Sequence, residues 1–413
     1  MKLKTKLKPV HAFLSLAIIG LVATAFFLGQ KTAKVKTPPN PPLAFLQESF
    51  NLIQENYWDT LEDQDLINIY LASARKFGDA PQLVNAESKD ELFKLLEKVV
   101  NQDNAPTIVD AVLQNLQPLG RSKLYTQKLA KDLSNTVSNI DPTTDHYQSL
   151  EVNKDASQKE VDQAYQTKSQ TATPEEKQKL DIAYNTLKEE STRETYNQTG
   201  ADPTMPHQKL TDQIYYLGIK KFSPTTLNEL TTIAQKTEDF PNLTTLILDL
   251  QSNVGGAIDG LPYFLGPFIG PDQYAYQFLQ QGEKQDFKTK STWLTSLVKF
   301  KKVIILIDNQ VQSSAEVMAS VLKKYNVGVL VGTTTRGWGT VEKVFSLDNQ
   351  ISENEIYSIF LVHHLTLRED GQPIEGNGVE PHISILDPTW TQQLLKYYND
   401  PELITQLKTL LTP

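Results

Sequence analysis

The sequence predicts an α/β protein: a helical N-terminal region, then a small all-α module, then an α/β core. Three observations lead there. From Leu43 to about Leu133, apolar residues recur at helical spacing, as in LAFLQESFNLIQENYW and KDELFKLLEKVVNQ. Between Asp145 and Gly200 the chain is rich in charge and helical in pattern, with Ser157 three residues before Glu160 at capping-box spacing. After ADPTMPHQKL, strand-like runs alternate with helical ones, the signature of a layered α/β fold.

The chain opens MKLKTKLKPVHAFLSLAIIGLVATAFFLGQKTAKVK, with lysines at 2, 4, 6 and 8 ahead of a run from Val10 to Gln30 that lacks Lys, Arg, Asp and Glu. That run matches the about 20 residues that cross a bilayer and exceeds the ~7–15 apolar residues of a cleaved signal. Residues 1–36 are therefore expected to be a signal anchor, with the bulk of the chain outside the cytoplasm, in the cell envelope. Secretion after cleavage near Ala23–Ala25 is the alternative. TPPNPP, Thr37–Pro42, reads as a stiff spacer. The expected order beyond it is a helical region over 43–140, the helical module over 143–200, the core over 209–390 and a C-terminal helix over 391–413.

Composition narrows the partners. The first 36 residues hold seven lysines and no acid, so the remainder sets 33 basic against 49 acidic residues, a net charge of about −16. Such a surface argues against nucleic acid. The absence of cysteine excludes disulfides, thiol catalysis and cysteine metal sites. No metal-ligand spacing, Walker loop or dinucleotide fingerprint occurs, so no metal and no cofactor is expected.

The strand-like runs are QIYYLGIKKF, TLILDLQ, KVIILIDN, VGVLVGT, EIYSIFLVHHLTL and VEPHISIL, and the helical ones include Pro224–Thr237 and Ala315–Tyr325. Three turns follow these strands, where α/β proteins build their sites. LILDLQSNVGGAIDG carries Gly255 and Gly256, whose bare backbone suits close approach and oxyanion donation. LIDNQVQSSAEVMAS starts a helix near Ser313 to Glu316, where a serine is ordinarily a cap but also sits beside free N–H groups. VLVGTTTRGWGTVEKVFSL bends a strand through its glycines.

Together these segments resemble the C-terminal processing, or tail-specific, peptidases, a serine/lysine family with a ClpP/crotonase-like core. The family's ILDLRxNxGG appears as LILDLQSNVGG, its SASE as SSAE, its GxxTxGKGxxQ as GTTTRGWGTVE, and its PxGxxIxxxGxxPD as EDGQPIEGNGVEPH. The resemblance covers roughly Lys209 to Asp387, and FLQESFNLIQENYWD is similar to the family's N-terminal helix. It implies a nucleophile at Ser313 and oxyanion donors from the backbone of Ser314 and of the Gly255–Gly256 turn. The general-base lysine falls on Trp338, and the glutamine that orients it falls on Glu342. An indole N–H only donates, so Trp338 cannot take the serine proton. If Trp338–Glu342 is a strand, alternation puts Glu342 on the face of Trp338, which makes it the best substitute base. Lys323 and Lys324 read as helix C-terminal charges, His363 and His364 as one inward and one outward strand residue, and Arg336 as a flank of the turn able to bind a peptide carboxylate.

The segment 145–200 resembles a DnaJ-type J domain through Tyr147, Leu150, Ala164, Tyr165, Ala183, Tyr184, Leu187, Arg193, Tyr196 and Gly200. The signature His-Pro-Asp of that family falls on Thr173, Pro174 and Glu175. The resemblance thus argues against a DnaK-type chaperone as partner and for a spacer or protein-docking module, standing where the peptidases usually carry a PDZ domain. With the anchor expected from residues 1–36, these resemblances imply a membrane-anchored peptidase homologue that binds polypeptide, with its C-terminus as a candidate contact, and has weak or no proteolysis. The alternative is an active serine peptidase with Glu342 as its base.

Overall fold

Five hydrogen-bonded strands in parallel, with one antiparallel strand at the edge, form the layer on which the second half of the chain is built. The structure, a computed structural model, describes residues 40–368 and 370–411. The expected anchor 1–36, the start of the spacer and Glu369 in EDGQPIEGNGVEPH lie outside the described residues. No helix among the described residues is long and apolar enough to cross a membrane.

The strands in chain order are β1 (Lys123–Thr126), β2 (His207–Lys209), β3 (Ile214–Gly218), β4 (Thr245–Asp249), β5 (Tyr274–Gln280), β6 (Glu283–Lys288), β7 (Lys302–Ile307), β8 (Val329–Gly332), β9 (Thr340–Ser346), β10 (Tyr357–Leu367) and β11 (Ile383–Ser384). They make two sheets, one ordered β11-β8-β7-β4-β3-β2 and one ordered β1-β10-β5-β6, with β9 on β10. The chain divides into two compact units. One reaches to Leu133 and adds Gln277–Gln285 and Thr340–Leu367; the other is Ser134–Tyr276, Asp286–Gly339 and Arg368–Pro413. The stretch 209–390, expected as one core, contributes to both.

In the first unit, the helix Pro41–Asn56 starts at Asn40, whose Oδ1 accepts the Leu43 N–H at 3.2 Å, with Pro41 at its first position. Leu46, Phe50 and Ile53, spaced four and three apart, and Phe45 beside them are buried together with Tyr70, Leu92 and Ile108 of later helices and with Ile359 and Leu361 of β10. The region read as helical over 43–140 also contains β1, which pairs antiparallel with β10 from Lys123↔Phe360 to Thr126↔Tyr357. A four-residue strand is too short for periodicity to reveal.

In the second unit, β3, β4, β7 and β8 are almost wholly buried. Their near-continuous apolar runs fit a parallel sheet covered on both faces. Ile214, Ile247, Ile304, Leu306 and Val331 pack with Leu394, Leu403 and Leu407 of the C-terminal helices Trp390–Tyr398 and Pro401–Leu411. The single helix expected over 391–413 is broken in two at Asn399, which adopts a left-handed conformation.

The same unit holds the helices His146–Leu150, Gln158–Ser169, Pro174–Leu187 and Glu190–Thr199. Tyr147, Leu150, Val161, Leu180, Ala183 and Leu187 form a cluster of their own. Reciprocal capping boxes start two of these helices, Ser157 with Glu160 and Thr173 with Glu176. Thr173, Pro174 and Glu175 are thus a helix start, with Thr173 as cap and Pro174 at the first position.

Candidate functional site

The turns after β4 and β7 and the loop after β8 meet at Ser313. The turn after β4 leaves the sheet at Asp249, whose buried carboxylate accepts from the Tyr216 hydroxyl (2.7 Å), Lys220 Nζ (2.8 Å) and the Gln251 N–H (2.8 Å). Asn253, fully buried, donates its Nδ2 to the Ile219 carbonyl at 2.8 Å and accepts the Gly255 N–H on Oδ1 at 2.8 Å. Gly255 has φ +85° and Gly256 φ +139°. A Cβ on Gly255 would stand 2.7 Å from Ser313 Cβ and 3.2 Å from its Oγ, so only glycine lets the turn lie this close to the serine.

Ser313 has φ +57° and caps the helix Ser314–Lys324, which is buried from Ser314 to Leu322. Its N–H donates to the Trp338 carbonyl and to Glu316 Oε2, each at 3.0 Å. The Ser314 hydroxyl donates to the Gly256 carbonyl at 3.0 Å and ties the two turns together. The N–H groups of Gly256 and Ser314 find no acceptor among the described residues, whereas the Gly255 N–H is held by Asn253. Of the expected backbone donors, Gly255 is therefore occupied, and Gly256 and Ser314 are open.

Glu316 organises the third strand of chain. With no solvent exposure, it accepts from Thr335 Oγ1 (2.6 Å), the Gly337 N–H (2.7 Å) and the Trp338 N–H (2.8 Å), besides Ser313. Burial pushes its carboxyl pKa up, and these donors pull it back. Glu375 takes the next amide, Gly339 N–H, at 2.8 Å, and the Gly337 carbonyl accepts the Gly376 N–H at 2.9 Å. Trp338 is thus clamped on both sides by carboxylates. The exposed Arg336 guanidinium lies 5.2 Å from the centre of the Trp338 ring. Sequence reading missed Glu316 and Glu375 as organisers of this loop; the Ser-x-x-Glu spacing of SSAE was the available signal for the first.

Ser313, Ser314, Gly255, Gly256 and Trp338 all lie in the second unit, and Glu342 lies in the first, on β9. β9 begins at Thr340, so Trp338 precedes it and the alternation argument linking Trp338 to Glu342 has no strand to run along. The Glu342 carboxylate instead accepts from Thr340 Oγ1 on its own strand. Lys323 donates to the Glu380 carbonyl at 2.8 Å and Lys324 lies over Tyr274, ten and eleven residues down the helix, about 15 Å from Ser313. His363 and His364 do not alternate. A register shift between Val362 and His364 puts both half-buried rings in one stack, 4.2 Å apart, with His363 Nδ1 on Gln280 Nε2.

A serine hydroxyl beside two N–H groups that find no acceptor among the described residues, all after the C-terminal ends of parallel strands, is an arrangement that suits acyl transfer. Residues 213–385 match the sequence profile of peptidase family S41. This stretch is similar to the S41 peptidase core. It is similar to a "Probable CtpA-like serine protease" of Staphylococcus epidermidis, 28% identical over 198 residues that span 47% of this chain and 39% of that protein. It is also similar to the "Carboxy-terminal processing protease CtpB" of Bacillus subtilis, at 25% identity over 175 residues. The matched stretch covers about two fifths or less of those curated relatives' length. Among solved structures, a lipoprotein from Streptococcus agalactiae superposes with a TM-score of 0.47 at 14% identity, covering 88% of this chain and 97% of that one. The photosystem II D1 C-terminal processing protease gives 0.47 at 12% identity, covering 85% and 94%. The stretch similar to family S41 lies in the α/β half of the chain, and the helical N-terminal region precedes it.

Proposed function

We propose that this protein is a membrane-anchored, extracytoplasmic homologue of the C-terminal processing serine proteases that binds polypeptide and has lost most or all proteolysis. The observation that carries the reading is the 3.0 Å hydrogen bond from the Ser313 N–H to the Trp338 carbonyl. It makes residue 338 a direct neighbour of the nucleophile position, and the side chain there is an indole. General-base help is worth about 10²–10⁴ in rate, and an indole supplies none. Ser313 takes the nucleophile position, and the Gly256 and Ser314 N–H groups have no acceptor among the described residues, so a peptide carbonyl still finds donors while hydroxyl activation is missing. The clamped Trp338 then serves as an aromatic wall of a peptide cleft, with Arg336 beside it. The helices of 143–200 act as a docking module in place of a PDZ domain.

The test is fluorophosphonate labelling and casein digestion by the chain from Lys36 onward, with Ser313→Ala and Trp338→Lys alongside. Silence in the wild type and labelling gained in Trp338→Lys is the expected result. Wild-type labelling that vanishes in Ser313→Ala sinks the reading and points to a base elsewhere, with Glu342 the first to substitute.

A further inference from the structure

At the end of the sheet away from Ser313, the second unit holds a pocket of about 310 Å³. Leu246 and Val303 line it, paired neighbours near the starts of β4 and β7, whereas Ser313 follows the ends of those strands. The lining side chains among the described residues are all aliphatic or aromatic, with one hydroxyl, on Tyr325. Their frame is a strap, residues 290–294, laced along the helix Leu261–Ile269. The Lys290 N–H donates to the Pro262 carbonyl (3.0 Å), the Ser291 hydroxyl to the Tyr263 carbonyl (2.6 Å) and the Leu294 N–H to the Pro267 carbonyl (3.2 Å). Gly270, at φ +90°, makes room for the indole of Trp293: a Cβ there would stand 2.4 Å from its Cε2 and Cζ2. Held in this way, Trp293 is still 51% exposed and Val298 47%, so the pocket opens on their side.

The pocket is at the low end of the ~300–1,000 Å³ of small-molecule sites and about twice the ~150 Å³ cavity that takes benzene. That is room for about a dozen non-hydrogen atoms, one short alkyl chain rather than the two chains of a phospholipid. The polar groups around it favour an acceptor. The Trp293 Nε1–H and the Tyr325 hydroxyl make no hydrogen bond among the described residues, and an indole N–H only donates. Lys299, next to Val298, places its ammonium 5.7 Å from the centre of the lining Phe300 ring and donates to the Thr237 carbonyl at 2.7 Å. Lys301 follows Phe300, and no Asp or Glu lines the pocket. Glu238 and Asp239, which follow Thr237, form no ion pair with either lysine. We propose that this pocket binds a free medium-chain fatty acid, its alkyl chain among Phe268, Trp293 and Phe300 and its carboxylate at the mouth toward Lys299. The inference stands apart from the peptidase reading, since no part of it involves Ser313.

Photolabelling of the full chain in phosphatidylcholine nanodiscs by a diazirine-bearing decanoate tests this, with mass spectrometry locating the label and free ligand measured against empty discs. Labels are expected on residues 293–303 and 325–327. Unlabelled decanoate should compete about tenfold more strongly than octanoate, the effect of two buried CH₂ groups, and decyltrimethylammonium should compete weakly. Val298→Trp, at an exposed position and with its thermal midpoint checked, should block the mouth and remove most of the labelling. Lys299→Gln should bring decanoate and decyltrimethylammonium to equal competition. Labels scattered along the chain, or undiminished in Val298→Trp, overturn the pocket. A preference for the anion that is missing in the wild type, or unchanged in Lys299→Gln, overturns the seat of the carboxylate. Labelling lost when phosphatidylglycerol replaces part of the phosphatidylcholine overturns the free fatty acid in favour of a membrane lipid.

Discussion

At position 316 a carboxylate with no solvent exposure accepts from the Ser313, Gly337 and Trp338 amides and from the Thr335 hydroxyl. Removing it leaves those buried donors unpaired, which costs far more than the net worth of any one bond. Glu316→Ala is expected to lower stability by about 3–5 kcal/mol, read as the shift in denaturant midpoint. The glycines of the facing turn differ from each other. A Cβ on Gly256 would meet the Phe222 carbonyl oxygen at 2.1 Å, a backbone atom, whereas one on Gly255 meets the Ser313 side chain at 2.7 Å. Side chains yield more easily than backbone. Gly256→Ala should therefore cost more than Gly255→Ala, about 3 kcal/mol or more against about 1–3, and equal losses in a thermal melt would contradict this account.

Among the elements, β10 shows how one extra residue changes chemistry. The bulge between Val362 and His364 brings two imidazoles into one stack, and burial with the neighbouring charges pushes His364 down to about 4. A depressed histidine contributes stability above its usual 6.5, which is lost as pH falls through about 4. Acidification over that interval should weaken the first unit by at most about 3 kcal/mol, and His364→Gln should reduce the slope. Exchange rates of β9 and β10 amides measure it. In the other sheet, Ile304 on β7 is fully buried against the C-terminal helices. Ile304→Ala is expected to cost about 2–5 kcal/mol of that unit's stability, with the cavity term setting where in the range it falls.

At the scale of the whole molecule, net charge and the proposed anchor lead to two tests. With about −16 net charge beyond residue 36, the chain from Lys36 onward should show no retention on double-stranded DNA at about 0.15 M salt. Full-length protein is expected to stay with the membrane fraction through alkaline carbonate and to leave it in detergent, and the chain from Lys36 onward to stay soluble. Recovery of the full-length form in the carbonate supernatant would remove the anchor.

Much of this protein was legible in its residues because the signals were local. Buried parallel strands such as TLILD and KVIILI are continuous apolar runs, helix starts such as Ser157-x-x-Glu160 carry their own caps, and the glycine turn, SSAE and GTTTRGWGT carry by order and spacing the similarity to family S41. Other features depend on what a residue meets across the fold. That Asn253 consumes the Gly255 N–H, that Glu316 and Glu375 clamp the amides around Trp338, and that β9 starts only at Thr340 are decided by partners far away in sequence. The pairing of His363 with His364 turned on a bulge that periodicity does not encode. Sequence determined which chemical groups this protein has and which it lacks; tertiary structure decided which of them are free to act, because a hydrogen-bond donor is available only when nothing nearby has already taken it.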